Sequence, residues 1–379
     1  MLDEISFNNT IKVKEKTLQV QTGFFEAKRK IASSVFDGGQ LIDKRDSMIK
    51  DEDVQEEILR KKVKQFHELI LSDLRLLFSL ADKVREMNNV DLAIKLGQLF
   101  FERGLYDEAI ELFSAAGKID AAAKNLGYFL GMCHYEKKDF NAALKCFQQE
   151  ITRSNDYPDL RLVLAKTWWE LKDPVSSFKS LDEAIHLNSS YDMAFFYYGL
   201  YLLSSIQTFP KHTELPPPIE RIKKATEHLR KAASLSSQVV QNRMQLGFEH
   251  LQIKNNLEEA VSHFEKAIEQ KKHHLNSDLP DNEFYIKFMF ANLEADRESL
   301  SYYIDKLEQS VGFNPDYADH RRSLGLAYLV KAWQYFVRAV KELRKTVEIN
   351  PSFDKAKRNL KLLENEGRGL LLLLRAILK

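Results

Sequence analysis

The residues able to do chemistry are plentiful in this chain but scattered. Its ten histidines form no HExxH pair, and there is no GxSxG elbow, Walker A loop or dinucleotide GxGxxG. His273-His274, beside Lys271 and Lys272, read as a solvated loop rather than a weak metal site. Cys133 and Cys146 lack CxxC spacing and read as small buried hydrophobes in a reducing compartment, not as a disulfide or metal pair. Carboxylates such as Asp107, Glu108 and Glu111 have the spacing of an exposed helix face with helical ion pairs. Gly367-Arg368-Gly369 reads as a helix terminator rather than a phosphate cradle. Residues 1–50 hold no His or Cys. The expectation is a protein without catalytic residues, metal or cofactor, and not an enzyme.

The elements that would position any other kind of site are better marked. In 379 residues, 44% are hydrophobic, with only 14 Gly and 9 Pro, which favours a helical, well-cored chain. A net charge of +1 supplies no overall field toward nucleic acid or membrane. The start, MLDEISFNNTIKVKEK, lacks the apolar centre of a signal peptide. No run approaches the roughly 20 apolar residues that span a bilayer; Leu370–Leu374 ends at Arg375. The chain is therefore expected to be soluble and cytoplasmic.

Residues 1–50 differ from the rest. Ile11 and Val13 alternate with lysines, Leu18, Val20 and Thr22 alternate with glutamines, and the run Ile31–Phe36 leads into Asp37-Gly38-Gly39. Period-two alternation around a Gly turn predicts a small antiparallel sheet of three or four strands. A sheet that small must dock on a surface, either the following helix or another copy of the chain. Residues 51–89 carry Val54, Ile58, Phe66, Ile70, Leu74, Leu77 and Val84 at helical spacing. They predict one long helix, or two broken near Ser72-Asp73, serving as a cap or connector. A coiled-coil dimer is the alternative, although the heptad is not clean.

From residue 90 a template repeats. Leu96-Gly97 is followed by Ala109, Phe113 and Ala116, and Leu130-Gly131 by Ala143 and Phe147. Gly97, Gly131, Ala165 and Gly199 stand 34 residues apart. Later units open at Leu246-Gly247, at Phe290-Ala291 and at Leu324-Gly325, the last two closing with Asn314-Pro315 and Asn350-Pro351. Small residues let paired helices approach closely while Phe113, Phe147, Leu181 and Phe264 fill the layers between them. The fourth unit carries an insertion at 204–218 with four of the nine prolines, expected to be non-helical. Its reading is a tolerated loop, or a contact in which Phe209 or Pro216–Pro218 touches ligand or neighbour.

These residues carry a resemblance: over 90–351, about seven units, the chain resembles a tetratricopeptide repeat (TPR) protein. Glu150 departs from it, standing where the pattern expects Ala. The resemblance implies a mainly α fold, a right-handed superhelical α-solenoid of helix pairs following the small N-terminal antiparallel β module. Residues 352–379 would be a capping helix with an apolar-basic tail. It also implies a concave groove lined by the first helix of each unit. Carried over, that wall is Ile94, Gln98, Phe101, Tyr128, Met132, Tyr135, Leu162, Lys166, Trp169, Phe196, Leu200, Met244, Phe248, Leu251, Tyr285 and Phe288. Some of these are expected to be inter-repeat core. Where family members grip a C-terminal carboxylate with Lys and Asn, this chain has mostly Phe, Tyr, Met and Leu, which disfavours a chaperone-tail adaptor.

The function expected is a non-enzymatic scaffold or adaptor holding a partner peptide or amphipathic helix. The alternative is a self-assembling structural protein, oligomerising through the N-terminal module or the C-terminal tail. Ten bases against five acids lie in the last 39 residues, alternating with apolar residues expected to pack on the last repeat, so no nucleic acid is expected. Membrane contact through the Leu370–Leu378 tail is the less favoured reading.

Overall fold

The structure, a computed structural model, describes residues 5–13, 16–49, 56–153, 157–254, 256–275, 286, 297–313 and 318–377. Contacts divide the chain into two compact units, residues 1–108 with 277–379 and residues 109–276.

In the first unit, strands β1 (Ser6–Val13), β2 (Lys16–Phe25), β3 (Lys30–Asp37) and β4 (Gln40–Met48) form an antiparallel meander in that order. The β3–β4 turn is Gly38-Gly39, both at positive φ, as a two-residue hairpin requires. One face carries Ile11, Leu18, Val20, Ile31 and Val35 against α1 (Glu56–Glu86), a single helix that lies on β1–β3 of the same chain. Ser72-Asp73 does not break it, because both have other work there. The Ser72 hydroxyl donates to Leu69 O at 2.9 Å, and Asp73 is the hub of a buried charge cluster.

That cluster and a neutral neighbour set the sheet's register on the helix. Asp73 accepts from Arg45 of β4 at 2.6 Å and from Arg103 at 3.2 Å, the latter at the end of α2 (Val90–Glu102). Gly104, at φ +68, follows; a Cβ there would stand 2.7 Å from Ile42 O. Further along α1, His67 Nε2 lies 2.9 Å from Asn9 Oδ1, and Nδ1 lies 2.8 Å from the Thr22 hydroxyl. The Nε2–H tautomer fits: it donates to Asn9 and leaves Nδ1 to accept from Thr22. Helices α12 (Arg297–Phe313), α13 (Ala318–Ile349) and α14 (Asp354–Ile377) also belong to this unit. Tyr302 of α12 packs edge-on to Phe66 at 5.3 Å and donates to Asp46 O at 3.3 Å.

The second unit takes up most of α3 (Tyr106–Ile119) and then four helix pairs. These are α4 (Leu126–Glu136) with α5 (Phe140–Arg153), α6 (Pro158–Glu170) with α7 (Pro174–Leu187), α8 (Asp192–Thr208) with α9 (Pro218–Ser234), and α10 (Gln238–Gln252) with α11 (Leu257–Leu275). They are the antiparallel pairs expected of the repeat. Gly104, Lys138 and Lys172 turn at left-handed φ, each 34 residues after the last. In the second and third of these turns the next residue caps the following helix: Asp139 accepts from Ala142 N, and Asp173 from Ser176 N. At the crossings a Cβ on Gly131 would meet Phe147 at 2.4 Å, and one on Gly199 would meet Leu229 at 2.5 Å. Glu150, the odd residue in the pattern, is buried and accepts the Gly127 N–H at 3.0 Å, so it fills its place with a hydrogen bond.

Four expectations are corrected. Residues 318–349, expected to be the seventh pair, form one 32-residue helix. The position matching the left-handed turn is Ala332, a strong helix former with no Gly, Asn or Asp beside it. The insertion is helical through Thr208, because its first proline is Pro210. His273-His274 sit in the last turn of α11 rather than in a loop. Gly367-Arg368-Gly369 lies inside α14, where Gly367 admits the ring of Phe336, 2.7 Å from a would-be Cβ. Phe290-Ala291 and Asn314-Pro315 lie outside the described residues.

Two outcomes are expected. Gly131→Ala should lower stability by about 1–3 kcal/mol through overpacking, whereas Gly325→Ala, with nothing within 4 Å, should raise it by up to about 1 kcal/mol; urea unfolding reads both. Burial lowers the pKa of His67, with Glu68 opposing. Its neutral form therefore contributes stability that is whole above about pH 6.5 and lost as pH falls through the folded-state value. Melting curves from about pH 7.5 down to about pH 5 should fall less steeply in His67→Gln than in the native chain.

Candidate functional site

The second unit presents the first helices of its pairs, α4, α6, α8 and α10, and their side chains sort by depth. Tyr128, Met132, Tyr135, Lys166 and Phe248 are half-buried, each keeping part of its surface in solvent. Trp169, Leu200 and Leu162 are buried, and Phe196 and Met244 are wholly so. Phe196 packs on Phe264, which also receives the edge of Phe248 at 5.2 Å. Leu251 is likewise buried. In the first unit, Ile94, Gln98 and Phe101 are half-buried, with Phe101 against Tyr106 at 5.6 Å. Tyr285 and Phe288 lie outside the described residues.

The structure brings together three of the expected residues with three from α8 and the loop beyond it. Lys166 Nζ stands 4.8 Å from the ring centre of Tyr135 and 5.5 Å from that of Tyr197, so a cation is held between two aromatic faces. One helical turn on, Trp169 stacks flat on Tyr201 at 4.2 Å and meets the edge of Phe209 at 5.4 Å. Tyr197 and Tyr201 are spaced i, i+4 on α8, so they form one row facing α6. That spacing was the available signal for them.

Burial, assisted by Glu170, holds the Tyr135 phenol well above its ordinary pKa, and burial with Glu136 raises Tyr197 to about 12. These phenols stay protonated across the physiological range. The face thus offers ring surfaces, hydroxyls and one ammonium, a set suited to recognition. Cys133, also raised to about 12 by burial, stays a thiol, and both cysteines are free. Among the described residues no group of three or more His, Cys, Asp or Glu is placed to hold a metal ion.

Phe209 owes its place to a residue that sequence reading missed. Arg221 of α9 is buried, and its guanidinium donates to Pro216 O at 2.6 Å and to Ser205 O and Phe209 O at 3.0 Å each. One side chain thereby satisfies the carbonyls at both ends of the loop between α8 and α9. Pro218 then opens α9 at a position that tolerates proline.

No protein-family model matches the chain, and no curated protein sequence does. Among solved structures, it is similar to MamA, 20% identical over 47% of this chain and 95% of that one, with a TM-score of 0.34. It is also similar to a tetratricopeptide repeat protein from Parabacteroides merdae, 15% identical over 73% and 98%, TM-score 0.35. YrrB, described as a TPR protein with an unusual peptide-binding site, is 18% identical over 50% and 90%, TM-score 0.34. The helix pairs stand on their own turns and crossings.

The depth difference is measurable. Phe196→Ala should cost about 3–5 kcal/mol in urea unfolding, as emptied core aromatics do, while Tyr135→Ala should cost less than half of that.

Proposed function

We propose that this chain is a non-enzymatic scaffold that holds an apolar or amphipathic segment of a partner protein against the first helices of its second unit. The observation that supports it is the row of half-exposed Tyr128, Met132 and Tyr135 on α4, with Lys166 held over Tyr135. Rigid aromatic and methionine side chains already fixed by their neighbours lose little entropy on binding, which suits them as anchors. Tyr128 is held by Phe147 and Tyr157, and Tyr135 by Phe140. The wall so formed accommodates a helix laid with its apolar side inward, or an extended segment with alternate side chains bound. Trp169 and Phe196 are its support rather than its contact surface. No helix among the described residues is long and apolar enough to cross a membrane.

The test is affinity capture with the full chain and with the Tyr128→Ala/Tyr135→Ala pair, read by quantitative mass spectrometry. Partners enriched by the native chain should fall at least tenfold with the pair while the cooperative melting transition is kept. Unchanged enrichment would sink the proposal.

A further inference from the structure

The charge of this chain is nearly balanced overall but not along its length. Between Ala318 and Ile377 there are thirteen Lys or Arg against six Asp or Glu, so the remainder of the chain carries the compensating negative charge. This stretch is the α13–α14 hairpin, whose inner seam is complete without its outer surface. Ala356 and Gly367 are buried, Leu360, Leu363 and Leu370 are half-buried, and Arg344 pairs with Glu364 at 2.8 Å across the hairpin.

The outer surface of α14 leaves three leucines in water, as Tyr335 and Ile349 of α13 are also left. Leu362, Leu372 and Leu373 are 62%, 66% and 54% exposed. At 100° per residue they fall with Gly369, Ala376 and one amide, Asn365, in an arc of about 100°, nearly opposite the inner seam, with Glu366 at the edge away from the bases. Beside that arc runs a second row, Lys357, Lys361 and Arg368, all exposed. From Gly367 to Ile377 there is no acidic residue. The leucines expected to pack on the last repeat are thus divided: Leu370 packs on the buried cluster of α12 and α13, Leu363 is half-buried, and Leu362, Leu372 and Leu373 face outward.

We propose that this face of α14 docks on an anionic lipid bilayer surface, lying in the interface plane with its leucines at the acyl boundary and its lysine–arginine row at the headgroups. A leucine arc flanked by a row of bases is the pattern such helices carry, and a negative surface attracts the hairpin's excess positive charge. A second copy docked by this same face would bring the same positive charge against it. A nucleic acid would have no use for the exposed leucines.

The test is co-sedimentation of the full-length protein with vesicles of phosphatidylcholine alone and of phosphatidylcholine with phosphatidylserine, about two to one, at low and high salt. The expected result is sedimentation with the phosphatidylserine vesicles at low salt and at least tenfold less with phosphatidylcholine alone. Leu372→Glu/Leu373→Glu and, separately, Lys361→Glu/Arg368→Glu should each lower binding about tenfold, with circular dichroism unchanged because the altered side chains are exposed. Absence of sedimentation would overturn the proposal. So would binding to heparin or to vesicles that the leucine variant leaves untouched, which marks a general polyanion site. Light scattering that shows an oligomer dissolved by the leucine variant, without lipid binding, would assign the face to a second copy instead.

Discussion

Close approach of two helices at a residue without a side chain is the constraint on which the second unit depends. Phe147 lies over Gly131, Leu229 over Gly199 and Phe264 over Gly247. Each pair exchanges a missing Cβ for a large ring or branched side chain from the partner helix, and the interior is filled at crystal-like density only because both halves of the exchange are present. On the second helices of the last two pairs Ala225, Ala232, Ala260 and Ala267 are buried as well.

That dependence explains how far the sequence could be read. Period and small residues specify the side of a helix, and they placed the pairs from α4 to α11 correctly. Depth is a different quantity. Phe196 and Tyr128 hold the same place in their repeats, two periods apart, yet the first is sealed by Phe264 and the second keeps an open side. No pattern within one repeat carries that information, because the sealing residue comes from α11, three helices further on. Residues 318–349 show the complementary failure. Leu324-Gly325, Tyr328, Ala339 and Leu343 satisfy the packing template, but a helix pair also needs a residue willing to turn, and Ala332 is not one. Gly325 accordingly has open space around it rather than a partner helix.

The N-terminal sheet was legible in its strands and not in its mode of docking. Alternation predicts which residues share a face, and Ile11, Leu18, Val20 and Val35 do share the inner one. It does not reveal that the same face carries Asn9, Thr22, Ser33 and Arg45, matched by His67 and Asp73 from α1. Apolar contacts alone tolerate sliding of a sheet along a helix. A buried polar row does not, because any slip leaves donors and acceptors unpaired in a poorly hydrated layer. Polar groups at this seam therefore select one register, whereas the crossings of the second unit select theirs by shape.

The unbroken α13 has a mechanical consequence. A 32-residue helix is about 48 Å long and curves only gently without proline or a bulge. At one end it packs on α12, whose Tyr302 reaches the backbone of β4, and along its length it carries α14. Had the turn at Ala332 formed, a joint would separate these two contacts. Without it, a tilt imposed at one end is delivered to the other as by a lever arm, so strain is relieved at the ends of the rod and not in its middle.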